Sequence, residues 1–288
     1  MNADIDTSKI HLGTCGWSFD QWRGVFYPEH LPPTDRLAFY ARHFGSVEID
    51  STFYGPPSLQ TVGHWLDATP ETFRFACKLP REITHDRKLR GAGEALDAFL
   101  AAMAPLRSKL ACLVVQLPPH FTPHHDEVAL KEFIRELPRD FRFAVEFRSE
   151  EWHLPRIVHL LEAQGVCWIW NDLTSLEEQN LAAFGFQPRT TDFLYVRLMG
   201  DRVLPPEGSE AGGDKHLATP RDSALESWAI RMKRESEHVG AAYAFAGNQF
   251  EGFAPETVRR LASQFGLRPG VVDAPLELDG GDEQLPLF

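Results

Sequence analysis

Eight short apolar segments, separated by stretches with helical spacing, recur along this chain, and that alternation narrows the architecture more than any other feature. The strand-like segments are HLGTC (11–15), SVEIDSTF (46–53), FRFACKL (73–79), LACLVVQL (110–117), FRFAVEFR (141–148), VCWIWND (166–172), FLYVRLM (193–199) and AAYAFAGN (241–248). Segments such as DRLAFYARHF, GEALDAFLAAMAPL, DEVALKEFIREL and the closing APETVRRLASQF repeat their apolar residues every three to four positions, as one face of a helix does. Eight such units in about 270 residues fit a TIM-type (β/α)8 barrel in a single domain. An open doubly wound sheet is the alternative, because alternation alone does not establish closure. The expected organisation is an N-terminal extension over 1–10, the barrel over 11–270 and a flexible acidic tail over 271–288.

Strand parity supplies the first chemical expectation. In FRFAVEFR, Phe141, Phe143, Val145 and Phe147 share one face, suited to packing under helices, which turns Glu146 and Arg148 into the barrel. The same parity sends Glu48 and Asp50 inward from the second strand, Arg74 and Lys78 from the third, Gln116 from the fourth, and Tyr195 and Arg197 from the seventh. Most lie near the C-terminal ends of their strands, where barrel enzymes carry their sites. Glu48, Asp50, Lys78, Glu146, Arg148 and Arg197 are therefore the candidate catalytic residues, and an ion-pair network that plugs the barrel is the structural alternative.

Around them, Trp17, Trp22, Tyr54, His85, Gln116 and Asn248 are the candidate substrate-binding residues. GWSFDQWRGVFYP brings several aromatics onto the segment after the first strand, where they either roof the barrel or stack on a planar or sugar-like ligand. The Gly- and Pro-rich stretch after the seventh strand, 200–223, reads as a mobile lid. The carboxylates suit Mg2+ or Mn2+ if a metal is bound, whereas His120, His124 and His125 lie on a Pro-containing loop typical of solvated histidines. Cys15, Cys77, Cys112 and Cys167 are far apart in apolar runs and read as buried thiols. HExxH, Walker, GxGxxG and GxSxG motifs are absent.

The segments GTCGWSFDQWRGVFYP, VEIDSTFY, TPETFRFACKLPREITHDRKL, VVQLPPHF, FAVEFRSEEW and YVRL resemble, in order, the motifs of the domain of unknown function 72 family, also called YecE-like, over residues 11–266. The resemblance implies a TIM-type barrel and carries no activity with it. Asp50 stands where the family motif usually resembles EINSTFY, and Met199 where it resembles YVRLHG. Gly247 and Gln249 replace the Asn and the His or Asp of the eighth-strand motif, so no metal role is carried over to those positions.

The formal charge of −12 argues against a surface coated in bases for nucleic acid. Residues 271–288 hold five acids and no Lys or Arg, which leaves 36 acids against 29 bases, a balance of −7, on the rest. A cationic cleft is compatible with that figure. QLPLF, at Gln284, Leu285, Pro286, Leu287 and Phe288, resembles the Gln-Leu-x-Leu-Phe peptide by which bacterial repair and replication proteins dock on the DNA polymerase sliding clamp. Its amide and apolar anchors follow an acidic, Gly-containing leader, as a groove-binding peptide requires. Neither a signal peptide nor a run of about 18 apolar residues occurs, so a cytoplasmic protein without a membrane span is expected. The leading expectation is a hydrolase-type enzyme acting on nucleic acid or another phosphate-bearing substrate, recruited to DNA by the clamp. A sugar or sugar-phosphate barrel enzyme and a noncatalytic clamp-binding adaptor are the alternatives.

Overall fold

The sheet closes through one interrupted strand. In the computed structural model, which describes residues 6–172, 188–200 and 215–267, the strands are β1 (Ile10–Cys15), β2 (Ser46–Ile49), β3 (Arg74–Lys78), β4 (Leu110–Gln116), β5 (Phe143–Glu146), β6 (Val166–Trp168), β7 (Trp170–Asn171), β8 (Phe193–Leu198) and β9 (Ala241–Ala246). All pairs are parallel, in the order β6-β5-β4-β3-β2-β1-β9-β8-β7. The two ends of that order are halves of one stretch of chain, separated by Ile169 alone. Val145 lies opposite Trp168 and accepts the Ile169 N–H at 2.9 Å, while Asn171 lies opposite Arg197. One strand thus serves both edges, and the result is a nearly closed TIM-type barrel in a single domain. The expected sixth strand, 166–172, spans both β6 and β7; it breaks where the chain changes partner.

Local signals place the helices that cover this barrel: α1 (Arg36–Ala41), α2 (Leu59–Asp67), α3 (Gly93–Met103), α4 (Pro123–Glu136), α5 (Pro155–Gln164), α6 (Asp222–Ser236), α7 (Asn248–Glu251) and α8 (Ala254–Gln264). The Ser58 hydroxyl accepts the Thr61 N–H at 3.1 Å and caps α2. Proline opens α4 and α5, where a missing N–H costs nothing, and Gly165 ends α5 at φ 64°.

Parity divides the buried apolar residues into two cores. Val47, Ile49, Phe75, Val115, Phe143, Val145 and Phe147 belong to the cluster between sheet and helices. Ala76, Cys112, Val114, Ala144, Tyr195, Tyr243 and Phe245 form the second cluster, inside the barrel. Seven of the nine strands contribute to both because successive side chains point to opposite faces, while β2 turns Glu48 inward in place of an apolar residue and β7 adds only Trp170 to the outer cluster. All four cysteines are buried free thiols, as expected.

The acidic tail 271–288, with Gln284, Leu285, Leu287 and Phe288, lies outside the described residues, as do residues 201–214 of the expected lid. The adjoining end of that stretch is anchored: Ala218 N–H donates to the Glu251 carbonyl at 2.7 Å. No helix among the described residues is long and apolar enough to cross a membrane.

Tyr40 fastens β1 to β2 by donating to the Ser46 carbonyl at 3.0 Å while accepting the Thr14 N–H at 2.8 Å. At Gly13, paired with Ser46, an added Cβ would fall 2.0 Å from the Ser46 carbonyl oxygen, and that atom is backbone that cannot swing away. Gly13→Ala is therefore expected to destabilise the barrel by about 1–3 kcal/mol or more, read as a lower urea midpoint. An unchanged midpoint would show that β1 and β2 separate without cost.

Candidate functional site

β8 projects Tyr195 and Arg197 from one face of one strand, and this pair organises the mouth of the barrel. Tyr195 donates its hydroxyl to Glu48 Oε2 at 2.5 Å, and Arg197 Nη2 donates to Glu48 Oε1 at 2.6 Å. The second terminal nitrogen of Arg197, Nη1, donates to Glu146 Oε2 in a short contact. Gln116, opposite Glu146 in the sheet register, donates its amide to the same oxygen at 2.7 Å, and Arg148 Nε reaches Glu146 Oε1 at 2.7 Å. Both glutamates are 0% exposed. Burial alone drives the Glu146 carboxyl upward, but Arg148, Arg197 and the Gln116 amide outweigh it and hold the group at about 2.

A cavity of about 630 Å3 opens above this network. Its charged lining among the described residues consists of Asp50, Lys78, Arg148 and Arg197; Trp17, Phe19, Phe53 and Tyr54 supply aromatic walls, and Gln116, Asn248 and Gln249 add amides. Asp50 is 41% exposed and sits 3.6 Å from Lys78 Nζ and 3.7 Å from Arg197 Nη2. Both separations are ion pairs beyond hydrogen-bond length. Lys78 Nζ rests 4.3 Å from the centre of the Phe53 ring. Burial, opposed by Asp50, lowers the pKa of the Lys78 ammonium. Arg148 commits Nε to Glu146, and among the described residues its two terminal nitrogens have no hydrogen-bond partner.

The six candidate catalytic residues do converge, but they divide into two layers. Glu48, Glu146 and the terminal nitrogens of Arg197 form a hydrogen-bonded lower layer, with Arg197 Nε buried and without a hydrogen-bond partner among the described residues; Asp50, Lys78 and Arg148 face the cavity. Of the candidate binding residues, Trp17, Tyr54, Gln116 and Asn248 line it. Trp22 does not: it is 0% exposed, packed among Phe19, Phe26, Tyr27 and Phe253, because the segment after β1 folds its larger aromatics under the rim. Tyr27 from that cluster donates to the Trp17 carbonyl, tying the rim to the core. His85 stands behind the wall, edge-on to Phe53 with ring centres 4.8 Å apart, and burial, then Lys78 and Arg81, lowers its pKa to about 4. Cys15, Phe53 and Gln249 are lining residues without a role in the sequence reading. Parity identified the inward Tyr195, yet nothing local marked it as the Glu48 partner 147 positions away.

The donor set does not fit Mg2+ or Mn2+. Glu48, Asp50 and Cys15 bring ligand atoms within 4.8 Å of one another, but both Glu48 oxygens already accept hydrogen bonds. Burial and then the neighbouring Glu48 raise the Cys15 pKa and keep it a thiol, and hard cations prefer oxygen. The Glu146 oxygens are likewise committed to Arg148, Gln116 and Arg197.

Because the folded pKa of Glu146 is depressed, its stabilising contribution is present above about pH 4.5 and is lost as pH falls toward 2. The wild-type melting temperature is expected to drop across that window by the equivalent of about 3 kcal/mol, and Glu146→Gln, which breaks a buried pair, to cost about 3–5 kcal/mol at neutral pH while flattening the acid limb. An acid limb equally steep in the variant would assign the pH dependence to other carboxylates.

The profile of the family described as protein of unknown function DUF72 matches residues 11–279. The chain is 30% identical over 289 residues to the UPF0759 protein YunF of Bacillus subtilis, covering 94% of this chain and 99% of that protein. With the UPF0759 protein YecE of Escherichia coli it shares 34% identity over 143 residues, a match spanning half of each chain. A DUF72 family protein from Thermotoga maritima superposes with a TM-score of 0.74 at 27% identity, covering 89% of this chain and 99% of that one. One from Enterococcus faecalis, at 21% identity, gives 0.71 over 94% and 100% and shows likeness of fold. The family motifs of the sequence and the barrel that carries them thus agree: the chain belongs to the DUF72 family.

Proposed function

We propose that the barrel mouth binds a small phosphate-bearing substrate and hydrolyses it by general acid-base chemistry. The observation that carries this reading is the imbalance of charge at the cavity surface: Lys78, Arg148 and Arg197 face it with Asp50 as the sole acid among the described residues, while Glu48 and Glu146 are sealed below. Lys78 Nζ and the terminal nitrogens of Arg148 are the donors left for an anion, and guanidinium matches phosphate geometry. The aromatic walls suit a ring on the same ligand. A cavity of about 630 Å3 lies in the range of small-molecule sites and takes one nucleotide or one sugar phosphate; a nucleic acid has to present an unstacked unit to enter it. In the proposed step Asp50 takes a proton from water as the oxygen attacks phosphorus. The ester P–O bond breaks, its electron pair goes to the leaving oxygen, and that oxygen takes a proton from Lys78, whose acidity burial has increased. Arg197 acts as a positioning residue that keeps Glu48 and Glu146 away from the ligand.

Lys78→Ala and Arg148→Ala are each expected to weaken calorimetric binding of inorganic phosphate and of sugar phosphates by about 10–100-fold. Asp50→Asn should lower turnover of a phosphomonoester by at least about 100-fold while leaving phosphate bound. Phosphate binding that ignores both cations would overturn the assignment of the anion site, and full turnover by Asp50→Asn would overturn the base.

We propose separately that Gln284, Leu285, Leu287 and Phe288 dock on a bacterial sliding clamp, on the strength of the QLPLF sequence and its acidic leader. Tethering of this kind raises the local concentration of a weak binder, so the barrel itself needs little affinity for DNA. The intact chain should be retained by purified clamp and a form truncated after Glu283 should not. Equal retention of the two forms would remove the clamp from the account.

A further inference from the structure

A second, smaller cavity of about 250 Å3 lies beside the mouth and shares Phe53 and Tyr54 with it. Its floor is apolar, from Pro56, Pro80, Ala95 and Ala98, and its polar edge is Arg81, Glu82 and Asp86. Tyr54 stands between the two cavities at 88% exposure, on the short turn Ser51–Tyr54 that follows β2. So exposed a ring, meeting the Phe53 ring edge-on with centres 5.7 Å apart, adds little to the core; it forms a ridge that a ligand entering both cavities has to cross.

The two cavities differ in charge. Among the described residues the mouth carries three cations against one acid, whereas at the edge of the side cavity each acid is already paired with a guanidinium, Asp86 with Arg81 Nε at 3.0 Å and Glu82 with Arg87 at 2.8 Å. The segment that supplies these acids, Glu82–Asp86, winds as a π-helix, a geometry frequent at functional sites. A polymer with a phosphate on every unit would find no unpaired cation there for its second phosphate. A neutral, hydroxyl-rich ring would not: carboxylates accept from its hydroxyls, Arg81 donates, and Tyr54 and Phe53 cover its apolar face. At about 250 Å3 the space lies below the roughly 300–1,000 Å3 of a complete small-molecule site, which suits one ring.

We infer that the ligand is a phosphorylated disaccharide, with its phosphorylated sugar in the barrel mouth and its neutral sugar in the side cavity across Tyr54. This rests on the phosphate assignment made above and adds the second unit. The ligand enters with its anion first, held by Lys78 and Arg148, and the side cavity selects for the uncharged ring.

Calorimetric titration of the full-length protein with trehalose 6-phosphate, glucose 6-phosphate, thymidine monophosphate and the dinucleotide pTpT tests this. Trehalose 6-phosphate should bind at least about tenfold more tightly than glucose 6-phosphate, and pTpT should gain nothing over thymidine monophosphate. Ala98→Trp, an exposed α3 position whose new side chain fills the side cavity, should bring the ratio of the two sugar phosphates to near unity; Asp86→Ala should lower it without filling space. Equal binding of the two sugar phosphates, or a preference that survives Ala98→Trp, would overturn the second subsite and leave the phosphate site standing. A gain by pTpT that Ala98→Trp removes would replace the saccharide with a nucleic acid. Failure of every phosphate to bind would remove the mouth assignment and this inference together.

Discussion

The guanidinium of Arg197 is the interaction on which the mouth depends. It joins Glu48 from β2 to Glu146 from β5, on strands that are not neighbours in the sheet, at a depth where neither carboxylate reaches water. Two carboxylates buried without it would lack the counter-charge that bridges them, which is costly in a low-dielectric interior. With it, and with Tyr195, Gln116 and Arg148 completing their hydrogen bonds, both stay anchored. The network therefore does two things at once: it fills the top of the barrel interior, and it fixes which charges remain for a ligand.

What remains follows from saturation. A carboxylate that already accepts from three donors, and whose pKa is held at about 2, is a poor proton acceptor at neutral pH. Glu146 is such a group, and Glu48 is enclosed between Tyr195 and Arg197. The two therefore serve as the frame of the mouth, and on the proposed reading the chemistry falls to the outer layer of Asp50, Lys78 and Arg148. Below the network the interior is apolar, with Tyr195, Tyr243, Phe245 and Cys112 packed across it, so the barrel opens at the strand C-termini, as barrel sites do.

Much of this was legible from spacing alone. Period two in FRFAVEFR separates Glu146 from Val145 and Phe147, and the same rule correctly turned Glu48, Lys78 and Arg197 inward without knowledge of their partners. Which inward charges face water and which face one another was not legible, because the bonds of Arg197 to Glu146 and Glu48 join residues 51 and 149 positions apart and depend on barrel closure. Trp22 shows the complementary limit. In an irregular segment no period assigns a face, and GWSFDQWRGVFYP sends Trp17 to the cavity and Trp22 to the core. The break at Ile169 was equally hidden, since VCWIW is an unbroken apolar run while its pairing partners change.

Asp50 brings these threads together. It stands at the Asn position of the EINSTFY motif that VEIDSTFY resembles, and it is the sole acid that reaches the cavity among the described residues. An asparagine there would leave the anion site more positive, since Asp50 offsets Lys78 at 3.6 Å and Arg197 at 3.7 Å, and charges at such distances interact by about 1–4 kcal/mol in wet surroundings. It could not accept a proton. On the proposed reading the fold supplies anion binding through Lys78, Arg148 and the buried frame, and this chain trades part of that attraction for a base. Met199 and Gly247, which with Gln249 stand where the family motif carries polar side chains, fit the same direction: they line the mouth beside Cys15 without adding charge, and leave proton transfer to one carboxylate and one lysine.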